Sequence, residues 1–147
     1  QIGAVLLTGC LGGKRAGLLS QLAYVTLGLV WLPVFTRGGG LDYLAEPTFG
    51  YIIGFIPGAW FCGILAFRRD KQLEWLAFSC LLGLIIIHGM GILYLVGLHY
   101  FNLILFDALL PLLPSIIQYS WQPLGGQLIL VCAVAVLAYG LRNILFY

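Results

Sequence analysis

Long apolar runs, separated by short polar or glycine-rich clusters, organise this chain. Ala16 to Phe35, Thr48 to Phe67 and Trp75 to Leu98 each reach the length of on the order of 20 apolar residues that a helix needs to cross a hydrocarbon layer about 30 Å thick. Glycines, prolines or charges end each of them. Leu124 to Leu141 is slightly short of that length. Gln1 to Gly12 is shorter still and reads as a short or clipped span, closed by the polar turn Gly13-Lys14-Arg15. Lipid cannot satisfy exposed backbone N–H and C=O groups, so runs of this kind cross as helices. The pattern predicts an all-α integral membrane protein, a bundle of five observed transmembrane helices forming a single domain over residues 1–147. Between Leu98 and Pro123, the run Asn102 to Leu113 is apolar but interrupted by Asp107, Pro111 and Pro114. That suits an interfacial or re-entrant segment better than a full span.

Composition removes the soluble alternative. Hydrophobic residues make up 62% of the chain and charged ones 8%, against nearly half and about a quarter in an ordinary globular domain. Too little polar surface is left to coat a soluble fold. The charges then orient the bundle, because basic residues in short loops stay on the cytoplasmic side. If each run crosses once, Lys14, Arg15, Arg68, Arg69, Lys71 and Arg142 fall on one side and Arg37 alone on the other. The expected topology places the loop Thr36 to Pro47 and the connection Leu98 to Pro123 outside, with the C-terminus in the cytoplasm. The seven basic residues form no extended stripe, so nucleic acid is not an expected partner.

Catalytic signatures are missing from the sequence. His88 and His99 stand eleven positions apart, and no HExxH, GxSxG or GxxxxGK[ST] segment occurs. Cys10, Cys62, Cys80 and Cys132 sit singly in apolar runs without metal-ligand spacing and read as small packing residues. His88 lies mid-span. A polar group at that depth faces a bundle interior or a cavity, making either an interhelical hydrogen bond or a ligand contact. Glycine is frequent, at 20 residues, and the spacing of Gly83, Gly89, Gly91 and Gly97 permits close helix packing.

The most distinctive stretch is Leu32-Pro33-Val34-Phe35-Thr36-Arg37-Gly38-Gly39-Gly40-Leu41, followed by Glu46-Pro47-Thr48-Phe49-Gly50-Tyr51. Three successive glycines between two spans can adopt positive φ and approach a ligand closely, or serve as a flexible connector. Phe35 and Tyr51 offer flat faces at the two rims. In this block the chain resembles the BioY family, the biotin-binding S components of energy-coupling factor (ECF) transporters. That family carries Leu-Pro-Val-Phe, a glycine-rich loop, then Gly-Pro-Thr-Gly-Gly-Tyr and an apolar Gly-Phe run. Leu32 to Phe35, Gly38 to Gly40, Pro47, Thr48, Gly50, Tyr51, Gly54 and Phe55 match it in order.

The resemblance extends over essentially the whole chain and implies a six-span fold with both termini cytoplasmic, the first helix being absent here. It implies capture of biotin from outside the cell, in the plasma membrane of a prokaryote. A transmembrane coupling subunit and a cytoplasmic ATPase pair would supply the energy, and no cofactor is needed. The family opens its last span with Pro-Gly-Asp-Leu-Leu-Lys, whose Asp and Lys contact biotin. Here Gln127 and Leu130 stand at those two places. Gln127 keeps an acceptor and a donor for the ureido group, and Arg37 is the external base available for the valerate carboxylate. The expected ligand-binding set is Phe35, Arg37, Gly38, Gly39, Gly40, Thr48, Tyr51, His88, Tyr94 and Gln127. The exchange at Gln127 and Leu130 leaves open an S component for another small vitamin or cofactor precursor. A membrane enzyme using His88 and Asp107 is the remaining alternative.

Overall fold

The computed structural model of the chain describes residues 1–30, 32–36, 38–69, 72–106 and 111–145. Arg37, Lys71 and Asp107 therefore lie outside the described residues. The elements are α1 (Ile2–Val30), a 3₁₀ turn (Leu41–Ala45), α2 (Phe49–Ala66), α3 (Leu73–Phe106), α4 (Leu112–Ile116), a π-helical turn (Ile117–Trp121) and α5 (Leu124–Leu145). Four helical stretches are long and apolar enough to cross a membrane: Ile2–Val30, Phe49–Ala66, Leu73–Phe101 and Leu112–Leu145. The protein is a multi-pass, all-helical membrane protein. Among the described residues the only β-type pairing is one isolated bridge, Phe35 to Gly38.

Helix α1 is broken at Gly13, whose φ of 71° and ψ of −173° lie outside helical space. At that φ a side chain is strained, and glycine is the residue that reaches it freely. Beyond the break the chain doubles back. Gln21 Nε2 donates to Thr8 Oγ1 at 3.4 Å, and a Cβ added to Gly17 would sit 3.3 Å from Gly9 Cα. The reversal falls at the polar turn Gly13-Lys14-Arg15 read from the sequence.

Helix α2 is the central element, with 61% of its apolar window buried against 28–44% in the other three stretches. Glycine faces let it approach its neighbours closely. A Cβ on Gly54 would lie 2.9 Å from the Ile87 carbonyl oxygen, and Gly58 and Gly83 face each other so that a Cβ on either would lie 3.1 Å from the other's oxygen. Toward α1, a Cβ on Gly9 would lie 2.8 Å from the Ala59 oxygen. Such contact is how helices associate in lipid, where burying apolar surface gives no advantage and packing must supply the attraction.

The C-terminal end of α2 exposes carbonyls that the helix itself cannot satisfy. Two side chains answer them: Trp75 Nε1 donates to the Leu65 oxygen at 2.7 Å, and Arg142 Nη1 donates to the Ala66 oxygen at 2.7 Å. The Arg142 guanidinium also stacks 4.2 Å over the Phe67 ring. A cation here suits the negative end of the helix dipole, and the contact fastens α5 to the end of α2.

Several expected boundaries shift: α1 ends at Val30 rather than Phe35, where Pro33 forbids a further turn, and α5 runs on to Leu145 rather than ending at Leu141. Helix α3 runs to Phe106 rather than ending at Leu98, so Asn102 to Phe106 continue that helix. No glycine or proline lies between Leu98 and Phe106, and adding residues to an existing helix is cheap compared with starting one. The far end of the same run, Leu112 and Leu113, opens α4. Pro114 sits within the first turn of α4, where its missing N–H costs nothing. The π turn that follows carries Gln122 N–H to the Ile117 oxygen at 2.9 Å and hands the chain on to α5.

The reversal at Gly13 yields a stability prediction. A Cβ on Gly63 would fall 2.6 Å from Gly13 C and Lys14 N, both backbone atoms that cannot step aside. Gly63→Ala is expected to cost about 1–3 kcal/mol, as overpacking does. Gly140→Ala, with nothing within 4 Å of the added carbon, is expected to stay within about 0.5 kcal/mol. Equilibrium unfolding in detergent compares the two, and equal effects would contradict the packing described here.

Candidate functional site

The loop after α1 is folded back on the helix. Phe35 N–H bonds the Gly38 oxygen at 2.9 Å, Gly38 N–H returns to the Phe35 oxygen at 3.0 Å, and Gly40 N–H reaches the Gly28 oxygen at 2.7 Å. Gly38 and Gly40 take φ of 119° and 100°, in the region where a side chain would strain the backbone. A Cβ on Gly39 would lie 2.8 Å from the Gly28 oxygen. The three glycines thus seal the loop against the end of α1. Phe35 is buried beneath it at 4% exposure, its ring centroid 4.8 Å from that of Tyr43 and 5.4 Å from that of Tyr24.

Between this loop, α2 and α5 lies a cavity of about 480 Å³ with a ring of polar groups: Thr36, Tyr43, Thr48, Tyr51, Tyr119 and Gln127. Ile2, Ile52, Phe55 and Leu130 supply apolar wall, and Gln1, just ahead of α1, adds a second amide. Thr48 Oγ1 donates to Tyr43 Oη at 3.4 Å, and Tyr51 shares a 2.6 Å hydrogen bond with Ser120 Oγ. Among the described residues no charged side chain lines this cavity. An apolar wall with a few hydroxyls and two amides suits holding a compact amphipathic molecule, and this volume falls within the roughly 300–1,000 Å³ usual for such sites.

His88 and Gln127 meet across the bundle, with His88 Nε2 to Gln127 Oε1 at 2.6 Å. An amide oxygen only accepts, so Nε2 carries the proton and donates. The ring also stands edge-on to Tyr51, with centroids 5.6 Å apart at 79°. His88 is 8% exposed, and its Nδ1 has no hydrogen-bond partner among the described residues. The imidazole therefore occupies the oxygen of Gln127 and leaves its NH₂ group to donate toward the cavity.

The expected site residues separate into three groups. Thr48, Tyr51 and Gln127 line one cavity together. Phe35, Gly38, Gly39, Gly40 and His88 stand behind its wall, Phe35 under Tyr43, the glycines fixing the loop, and His88 against Gln127. Tyr94 lies elsewhere: it donates to the Leu44 oxygen and lines a separate apolar groove with Gly50, Met90 and Phe101. Arg37 follows Thr36, a cavity residue, but is itself outside the described residues.

A family model for the BioY family matches residues 1–146. The chain belongs to the BioY family. Among relatives, a probable biotin transporter BioY of Lysinibacillus sphaericus is 46% identical over 96 residues, 65% of this chain and 49% of the relative. The chain thus spans about half the length of that relative. The biotin transporter BioY of Thermotoga maritima is 31% identical over 145 residues, covering 98% of this chain and 79% of the relative. The crystal structure of the S-component for biotin from an ECF-type ABC transporter shares the fold with a TM-score of 0.77 at 24% identity, covering 97% of this chain and 73% of that one.

In this BioY-family chain the sequence reading overlooked Tyr43, Tyr119 and Ser120. Tyr43 follows Gly40 by three positions, in a turn too short to carry a periodic signal. Tyr119 and Ser120 lie in the proline-flanked stretch between Pro114 and Pro123, where the polar cluster Gln118-Tyr119-Ser120 was a usable sign. The Tyr51–Ser120 bond ties α2 to the π turn, and its loss is measurable. Tyr51→Phe leaves a buried hydroxyl without its partner and is expected to cost about 1–3 kcal/mol. The double variant with Ser120→Ala should cost less than the two singles added. A strictly additive cycle in detergent unfolding would show that the pair does not interact.

Proposed function

We propose that this chain is the membrane S component that captures biotin from outside the cell for uptake by an ECF-type transporter, and that it is not an enzyme. The observation that carries the reading is the uncharged cavity, in which the hydroxyls of Tyr43, Thr48, Tyr51 and Tyr119 converge with the Gln127 amide. The biotin transporters among its relatives support it. The fused-ring end of biotin rests against the aromatic wall, and the Gln127 NH₂, left free by His88, donates to the ureido oxygen. Arg37, which follows the cavity residue Thr36 in the sequence, is the base assigned to the valerate carboxylate through a charge-assisted bond.

In this reading the two arms of α1 on either side of Gly13 each cross the membrane, giving five crossings, and the residues form one transmembrane domain. The rim that carries Lys14, Arg15, Arg68, Arg69 and Arg142 faces the cytoplasm of a prokaryotic cell, together with the C-terminus. Gly38 to Gly40 form an outer loop over the cavity. A transmembrane coupling subunit and a cytoplasmic ATPase pair complete the transporter, since the sequence carries no phosphate-binding loop of the GxxxxGK[ST] type.

A second reading, an S component for a different small vitamin, is favoured by Leu130, which lines the cavity and offers no polar contact. Binding of radiolabelled biotin to the full-length protein separates the two. The unaltered protein should retain biotin. Gln127→Ala should weaken binding about tenfold, the equivalent of roughly 1.4 kcal/mol, and Arg37→Ala by about 10- to 100-fold, the range of a hydrogen bond to a charged group. Failure of the unaltered protein to hold biotin would sink the biotin reading. Displacement by another vitamin at lower concentration would support the second.

A further inference from the structure

Three cysteines distant in sequence converge where α1, α2 and α3 meet. Cys10 Sγ lies 3.6 Å from Cys62 Sγ and 3.3 Å from Cys80 Sγ, and all three sulfurs lie within 4.8 Å of one another. Each residue is fully buried, and none lines the cavity described above. The fourth, Cys132, is exposed and takes no part. We propose that Cys10, Cys62 and Cys80 form a metal site for one soft monovalent cation of the Cu(I) class, held between three helices.

Geometry and donor chemistry carry this assignment. A cation about 2.3 Å from each of three sulfurs, the usual metal–thiolate distance, separates them by about 4 Å in a plane. Each sulfur–sulfur separation reaches that arrangement with a change of under about 1 Å. Among the described residues no fourth His, Cys, Asp or Glu joins the group. Structural Zn²⁺ requires four ligands in a tetrahedron, and three sulfurs in a dry pocket therefore favour a soft d¹⁰ ion that accepts fewer. Thiolate is the ligand type that selects Cu(I).

Charge supplies an independent observation. Arg142 is 5% exposed, its Nε has no hydrogen-bond partner, and among the described residues no carboxylate pairs with its guanidinium. A buried cation without a counter-ion is costly. The side chain bonds the Ala66 oxygen, one helical turn beyond Cys62. When the metal binds, two of the thiols each release one proton to solvent and become thiolates, while the third sulfur coordinates as a thiol. The sum is two negative sulfurs and one monovalent cation, a net charge of −1 that Arg142 balances. No electron changes hands.

The site would act as a clip on the basic half of the bundle. Metal that binds the folded and not the unfolded chain raises stability by mass action. An opening lies close by: Gly63, the residue after Cys62, lines a cavity of about 390 Å³ with Gly12, Lys14 and Arg15.

Titration of the full chain in detergent with Ag(I), and with Cu(I) under anaerobic conditions against bicinchoninate, tests the assignment. One equivalent should be retained, with two protons released and the melting temperature raised. Cys132→Ser should bind as the unaltered protein does, and Cys10→Ala with Cys80→Ala should lose the site. Retention of metal by that double variant, loss in Cys132→Ser, or no retention by the unaltered chain would overturn it. If the double variant fails to fold, X-ray absorption of the copper-loaded unaltered protein decides. A shell of three sulfurs at about 2.3 Å is expected, and fewer sulfurs or a shell of oxygen or nitrogen would refute the site.

Discussion

Close approach of α2 to its neighbours is the constraint on which the rest of the bundle depends. In lipid, helices gain nothing by hiding apolar side chains from one another, so they must touch closely enough for dispersion to hold them. Gly54, Gly58 and Gly83 bring α2 and α3 to backbone contact, and Gly9 and Gly17 do the same for α1 against Ala59. The ends of α2 then need satisfying, because carbonyls left bare near hydrocarbon are expensive. Arg142 and Trp75 meet that need at one end. The result is a stiff wall against which α5 and the loop after α1 are set.

The cavity is a consequence of where that close contact stops. Toward the Thr48 end of α2, large rings replace small residues: Phe49, Tyr51 and Phe55 share this part of the helix with Gly50 and Gly54. Tyr51 fits because Gly91 opposite it has no side chain, a Cβ there falling 2.5 Å from the ring's Cζ. Tyr94 sits over Gly50 in the same manner, and its Cγ would lie 2.7 Å from a Cβ at that glycine. The rings hold the helices apart and leave room for a ligand, with hydroxyls facing inward. The polar groups are therefore placed by packing as much as by hydrogen bonding.

Much of this was legible in the sequence, for identifiable reasons. Span length and glycine-broken ends located Phe49–Ala66 to within a residue at each end, because the physical demand for crossing lipid is written in length and hydropathy alone. The turn at Gly13 was legible because a glycine next to two basic residues interrupts an apolar run. The extension of α3 to Phe106 was not, since the lack of a breaker leaves no mark until Pro111. Thr48, Tyr51 and Gln127, read from the family resemblance, do share a cavity, while Tyr94, expected as an aromatic lining residue, faces a different groove. Periodicity gives a residue's face only when the face is polar, and in a membrane helix both faces are apolar.

Meetings between distant residues were the least legible feature of all. His88 and Gln127 are 39 positions apart, and Cys10 lies 52 and 70 positions from the sulfurs beside it. Nothing in local spacing encodes either encounter. They differ in what they ask of the fold. The His88–Gln127 bond lies in the ring-spaced half of the bundle, where an amide oriented by an imidazole can face a ligand. The three sulfurs lie buried where α1, α2 and α3 meet, among residues that do not line the cavity. The first encounter thus stands beside a cavity with room for an organic molecule, and the second closes three helices around a space between sulfurs.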